Sequence, residues 1–239
     1  MQDTNEQNQL LKKIINHEDA EMLIENTHPF QVLMTQYRCA MLEIKTKLDV
    51  LNEELSLDGE RNPFESISCR LKKPLSILEK MERKGLPVTV ENIEKNIKDV
   101  AGIRVVCSFK ADIYRIADRL CSQDDVKVLE RKDYIAEPKP NGYRSLHLIL
   151  EIPVFLYNEK KFMCVEVQFR TIAMDFWASL EHKVRYKKNL APGAEPIAEE
   201  LRQCAELISA VDIHMQQIRD RIETFNNAER LKNQDNQDD

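Results

Sequence analysis

Glycine is scarce in this chain: five in 239 residues, Gly59, Gly85, Gly102, Gly142 and Gly193. At those spacings they spell neither G-x-x-x-x-G-K-[ST] nor G-x-G-x-x-G, which excludes a glycine-rich loop that wraps phosphates in backbone N–H groups. A phosphate bound here has to be held by side chains. Paired-cysteine motifs are also missing. The six cysteines (39, 69, 107, 121, 164 and 204) form no C-x-x-C and lie among apolar neighbours, which predicts reduced, mostly buried thiols in a cytoplasmic protein. No apolar run reaches 18 residues and no signal peptide is evident, which argues against secretion and against a membrane span. Bulk positive charge is absent as well. The net charge is −6, so the molecule as a whole is not drawn to nucleic acid.

Hydrophobic residues make up 42% of the chain, enough for a sizeable core in one domain with helical extensions. Charge is unevenly placed. From Arg70 to Lys84, six basic residues (Arg70, Lys72, Lys73, Lys80, Arg83 and Lys84) face only Glu79 and Glu82. Residues 65–84 read as one basic amphipathic helix ending at Gly85, with Pro87 just beyond. Arg70, Lys73, Lys80 and Lys84 then fall close to one stripe, with Ser76 and Arg83 near it. That stripe suits an anion, although a solvated charged face is the plainer alternative.

Residues 5–26 and 30–56 show apolar positions at helical spacing, separated at His28-Pro29. Strand patterns follow at 102–109 and 126–131, with a helix at 111–122 between them. Lys139-Pro140-Asn141-Gly142 reads as a turn. Residues 172–187 and 195–230 read as helices split by Ala191-Pro192-Gly193. The tail from Asn233 is polar and acidic, a composition that predicts disorder.

Two strand patterns carry unusual second faces. In Y-R-S-L-H-L-I-L, Leu146, Leu148 and Leu150 take one side, and Tyr143, Ser145 and His147 the other. In M-C-V-E-V-Q-F-R, Met163, Val165, Val167 and Phe169 oppose Glu166, Gln168 and Arg170. The parity is geometric, because strand side chains alternate with period two. Side by side, these faces form a polar, charged floor for a planar ligand. Arg104 points opposite Ile103 and Val105, and Asp99 precedes its strand. Asp99 and Glu166 are the carboxylates placed to share a metal, since Mg²⁺ takes one or two carboxylates plus substrate phosphates. A turn cap for Asp99 and a lysine partner for Glu166 are the alternatives. Tyr143 suits base stacking or the core, and His147 suits a strand hydrogen bond. Phe176 and Trp177 read as core residues.

Four segments, R-L-K-K-P-L-S-I-L-E-K-M, D-V-A-G-I-R, K-P-N-G-Y-R-S-L-H and E-V-Q-F-R-T-I-A-M-D-F-W-A-S-L-E-H-K, occur in that order. Together they resemble the small alarmone synthetases, single-domain relatives of the RelA/SpoT-type stringent-response enzymes. The resemblance runs from about residue 30 to 225 and is densest from 66 to 187. It implies an α/β (α+β) fold: a mixed β-sheet flanked by helices, nucleotidyltransferase-like, with N- and C-terminal helical arms. The implied divisions are an extension at 1–29, a synthetase domain at 30–230 and an acidic tail at 231–239.

The implied reaction transfers the β,γ-pyrophosphate of ATP to the 3′-hydroxyl of GDP or GTP, with GMP a further candidate acceptor. By the resemblance, Arg70 and Arg104 sandwich adenine, and Lys72, Ser76, Lys80 and Arg83 hold the ATP phosphates. Asp99 and Glu166 bind Mg²⁺, and Glu166 also takes the proton of the 3′-hydroxyl. Tyr143 stacks on guanine beside His147 and Gln168, and Arg131 and Lys139 face the acceptor phosphates. Asp175, grouped with the acceptor residues, stands where some relatives carry asparagine. No H-D pair with a partnering E-D suggests a hydrolase, so synthesis alone is expected. The alternative is a catalytically weak nucleotide-responsive module, or one that binds single-stranded RNA, on the same fold. The helical arms and the resemblance point to a cytoplasmic homotetramer without membrane contact.

Overall fold

The computed structural model describes residues 27–57, 62–185 and 195–235. The helix expected at 5–26 and the break at 191–193 lie outside these residues. A long first helix, α1 (His28–Leu57), precedes β1 (Phe64–Leu71), α2 (Pro74–Arg83) and α3 (Val90–Asn96). Then come β2 (Ala101–Cys107), α4 (Lys110–Cys121), β3 (Lys127–Asp133), β4 (Leu146–Phe155) and β5 (Lys160–Thr171). The last elements are α5 (Ile172–Arg185) and α6 (Glu195–Asp235).

The strands form one mixed sheet in the order β1-β2-β5-β4-β3, with only the β2–β5 pair parallel. The expected mixed sheet flanked by helices is present. Ile103, Val105, Leu146, Leu148, Leu150, Val165, Val167 and Phe169 are buried on one face against Leu33, Tyr37, Ala40, Ile44 and Leu48 of α1 and Ile113, Ile116 and Leu120 of α4. Helix α1 is thus less an arm than the cover of the sheet. Alternate residues point to the opposite face, where α5 crosses.

The basic helix expected at 65–84 is a strand, a turn and a shorter helix. β1 is an edge strand whose polar residues Ser66, Ser68 and Arg70 share one face. Edge exposure gave it no clean apolar alternation for sequence reading to detect. Pro74 occupies the first turn of α2, where its missing N–H costs nothing. The stop at Gly85 is as expected. Gly85 has φ +66, its N–H bonds to Glu82 O at 2.8 Å, and that of Leu86 bonds to Met81 O at 3.1 Å. α3 was not foreseen, although Thr89 caps it by accepting from the Asn92 N–H at 3.2 Å.

Three further expectations need correction. Only Cys107 and Cys164 are buried, while Cys69 and Cys204 are exposed. Trp177 is buried and donates to Leu201 O at 3.0 Å, but its neighbour Phe176 is exposed. α6 continues to Asp235, past the point where the tail was expected to lose structure. No helix among the described residues is long and apolar enough to cross a membrane.

Candidate active site

The strand register lays the polar face out in rows. One row reads Arg70, Gly102, Glu166, Ile149 and Glu130 across β1, β2, β5, β4 and β3. The next reads Ser68, Arg104, Gln168, His147 and Lys132. Gly102 has no side chain, so a gap opens between Arg70 and Glu166. A cleft of about 460 Å³ lies there, floored by Ser68, Arg70, Gly102, Arg104, Glu166 and Gln168. Asp99 walls it on one side and Ser179, His182 and Lys183 of α5 on another. A second recess of about 200 Å³ is lined by Glu130, Lys132, Tyr134, Lys139, His147, Ile149 and Glu166. Glu166 lines both.

Asp99 sits in the turn before β2. Backbone pairing of Lys72 N with Val100 O (2.8 Å) brings Lys72 alongside it. Lys72 and Lys80 reach the same oxygen, Oδ2, at 2.9 and 2.8 Å. Oδ1 is buried without a hydrogen-bond partner among the described residues. Burial pushes this carboxyl up, but the hydrogen bonds and charges of Lys80 and Lys72 outweigh it and hold the group below the usual carboxylate range.

Around Glu166 the hydrogen bonds close into a ring. His147 Nδ1 lies 3.2 Å from Glu166 Oε1, and His147 Nε2 lies 2.8 Å from the Tyr143 hydroxyl. Arg170 donates to that hydroxyl at 2.8 Å and to Gln168 Oε1 at 2.9 Å, and Gln168 Nε2 donates to Glu166 Oε2 at 2.8 Å. One proton order satisfies the ring. Arg170 donates to Tyr143, whose O–H donates to His147 Nε2, leaving Nδ1–H for Glu166. Burial pushes the Glu166 carboxyl up. His147 and then Gln168 pull it down further, so it lies below its ordinary value although the charge of Asp99 opposes them.

Tyr134 makes edge contacts with Tyr143 (6.2 Å) and His147 (5.3 Å), and Lys139 Nζ lies 4.5 Å from the Tyr134 ring and 4.9 Å from the Tyr143 ring. The turn holding Tyr143 depends on Gly142, at φ +86, where a Cβ would come within 2.5 Å of Ala205 Cβ on α6.

The structure therefore gathers Arg70, Lys72, Lys80, Asp99, Arg104, Lys139, Tyr143, His147, Glu166 and Gln168 around two joined recesses. Ser76 is half-buried and Arg83 exposed on α2. Arg131 is not brought in. It pairs with Leu148, hence faces the helix-covered side, and binds Asp118 of α4 at 3.0 Å. Lys132, one residue on, faces the recess in its place. Asp175 is held by Arg170 and Arg104. Ser145 is fully buried and donates to Phe169 O at 2.9 Å, so it supports the sheet rather than the floor. Lys132, Tyr134, Ser179, His182 and Lys183 were missed. The last three lay in a recognised segment, and Asp175, Ser179 and His182 are helically spaced on one face.

Among the described residues no group of three or more His, Cys, Asp or Glu side chains could hold a metal. The unpartnered Asp99 oxygen and the Glu166 carboxylate beside it nevertheless fit a divalent ion that takes its other ligands from phosphates and water.

Residues 69–191 match the family described as the region found in RelA / SpoT proteins. The chain is 42% identical to the GTP pyrophosphokinase YwaC of Bacillus subtilis over 187 residues, 78% of this chain and 89% of the relative. It resembles the crystal structure of small alarmone synthetase 1 from Bacillus subtilis bound to its product pppGpp, with TM-score 0.74 and 35% identity over 81% of this chain and 98% of that one. The same enzyme bound to AMPCPP gives TM-score 0.68 and 30% identity over 81% and 97% of the two chains.

Proposed function

The chain belongs to the RelA/SpoT family, and on that premise we infer that it is a GTP pyrophosphokinase, a small alarmone synthetase. It transfers the β,γ-pyrophosphate of ATP to the 3′-hydroxyl of GDP or GTP, releasing AMP and forming ppGpp or pppGpp. The observation that carries this reading is Glu166, the shared wall of two recesses of different character. The larger, with three arginines and the lysines around Asp99, suits ATP. The smaller, with aromatic rings and two lysines, suits the guanine nucleotide.

Guanidinium planes stack well on bases, so Arg70 and Arg104 take adenine. Lys72, Lys80, Ser76 and Arg83 take the ATP phosphates. Tyr143 stacks on guanine, and Lys132 and Lys139 meet the acceptor phosphates. Glu166 is ionised at neutral pH and is the general base. Its two oxygens are aimed by His147 and Gln168, and it takes the proton of the 3′-hydroxyl as that oxygen bonds to the β-phosphorus and the bond to AMP breaks. Asp99 and Glu166 are the residues that would hold Mg²⁺, which supplies charge neutralisation to the phosphates when bound.

The same reading includes a cytoplasmic homotetramer. On α6, Leu207, Val211, Met215, Ile218, Ile222 and Phe225 are all exposed at spacings of four, four, three, four and three. Ile172, Phe176, Leu180 and Val184 make a second exposed row on α5. Rows of this kind are interface material. A regulatory or RNA-binding module is the poorer reading, because pyrophosphokinases share most of this chain's length and Asp99 and Glu166 line one cleft. Incubation with ATP, Mg²⁺ and GDP tests the function. AMP and ppGpp appear in equal amounts if it is right, and ATP stays intact or loses only its γ-phosphate if it is wrong.

A further inference from the structure

Asp175 joins two arginines of the larger cleft, one of which reaches the acceptor side through the Tyr143 hydroxyl. Its Oδ1 lies 2.9 Å from an Arg170 nitrogen and 3.2 Å from an Arg104 nitrogen, so one oxygen serves two guanidiniums. The two arginines differ in freedom. Both line the larger cleft, but the Arg104 side chain is 43% exposed, whereas that of Arg170 is 10% exposed and holds the Tyr143 hydroxyl. Asp175 itself is anchored. It lies in the first turn of α5, whose start is fixed by Thr171, which accepts from the Met174 N–H at 3.1 Å and donates to Asp212 of α6 at 2.8 Å.

We propose that Asp175 is a positioning residue that makes binding in the two nucleotide recesses interdependent. When Arg104 turns onto a base in the larger cleft, the carboxylate is left to Arg170 alone. Arg170 then holds the Tyr143 hydroxyl more firmly, and the acceptor recess is organised. By linkage the reverse holds equally: an acceptor that fixes Tyr143 and Arg170 favours the released Arg104. This inference rests on the assignment of ATP and the guanine nucleotide to these two recesses.

The test is calorimetric titration of a non-hydrolysable ATP analogue with and without saturating GDP. In the unaltered protein GDP tightens the analogue by a factor in the roughly 5–150-fold range usual for coupled sites. Asp175→Asn keeps the shape but not the charge, and its factor falls to within about twofold of unity, while Asp175→Glu recovers part of it. Arg104→Ala removes the other end of the bridge and lowers the coupling likewise. Adding Asp175→Asn to it changes nothing more, as expected for two residues acting as one unit. An Asp175→Asn protein that melts normally and keeps full coupling overturns the proposal, and so does an unaltered protein without coupling. Failure of the synthetase reading looks different: both nucleotides bind with coupling, yet no ppGpp forms.

Discussion

Lys80 Nζ lies 2.8 Å from Asp99 Oδ2, and the other oxygen of that carboxylate is buried and unpartnered among the described residues. Lys72 shares the same Oδ2, so both cations neutralise one oxygen of a carboxylate that lines the cleft and leave the other unpaired among the described residues. Asp99→Asn keeps the shape, removes the charge and lowers turnover by about 10²–10³, the usual cost of a key electrostatic contact. Steady-state rates across a Mg²⁺ series, with a melting curve for folding, check this. Near-normal turnover would contradict the metal assignment.

The ring around Glu166 sets a pH dependence. Its carboxyl lies below the ordinary value, as does that of Asp99. For depressed carboxyls the stabilising contribution is full above the unfolded pKa and lost as pH falls through the folded one. Glu166 is likewise ionised near neutrality, so its titration does not limit activity there, and the acid limb falls below the ordinary glutamate pKa of about 4.3. His147→Ala removes the largest lowering contribution while burial stays, so the acid limb of kcat/KM moves upward. A profile that keeps its acid limb in place would refute the role of His147.

Tyr143 is held by its hydroxyl as well as its ring. Tyr143→Ala loses a stacking surface usually worth roughly 1–3 kcal/mol and raises the acceptor KM more than the ATP KM. From stacking alone Tyr143→Phe is neutral. The structure predicts otherwise, because Phe leaves Arg170 and His147 Nε2 without their shared partner, a loss of about 1–3 kcal/mol. Acceptor KM values for the two variants separate stacking from the hydrogen bonds.

Lys132 and Arg131 are neighbours on opposite faces. Lys132→Ala raises the acceptor KM, with the larger effect on acceptors carrying more phosphates. Arg131→Ala leaves both KM values alone and costs only the about 0–1 kcal/mol of an exposed ion pair. The reverse pattern in steady-state kinetics would restore Arg131 to the acceptor site.

On α6, Val211→Asp places a charge in the exposed apolar row. Light scattering coupled to size exclusion then finds a smaller assembly than for the unaltered chain. If the unaltered chain already runs as a 28.0 kDa monomer, the interface proposed here does not exist.

Where the sequence was legible, the cause is periodicity. β4 and β5 bury one side and show the other, so Glu166, Gln168 and His147 could be placed by parity alone. β3 is exposed along most of its length and carries a bulge between Val128 and Glu130, so nothing fixed its parity. Arg131 was placed at the acceptor phosphates by the resemblance alone, and no parity signal in β3 pointed to Lys132 instead. β1 failed for a similar reason, and its Arg70 merged with the lysines of the following turn and of α2 into one apparent helix. Tyr134 and the Asp175 bridge depend on contacts between distant segments, to which local pattern is blind.

Glu166, the proposed base between two bound nucleotides, is the residue on which the other roles depend. Glu166→Gln preserves both recesses and removes the proton acceptor. The decisive measurement is single-turnover formation of ppGpp from ATP and GDP at saturating concentrations, beside the affinity for each nucleotide. Affinities stay close to those of the unaltered protein while the rate falls by about 10²–10⁴, the usual contribution of general acid–base catalysis. A Glu166→Gln protein that forms ppGpp at a near-normal rate would contradict the role of Glu166 as base.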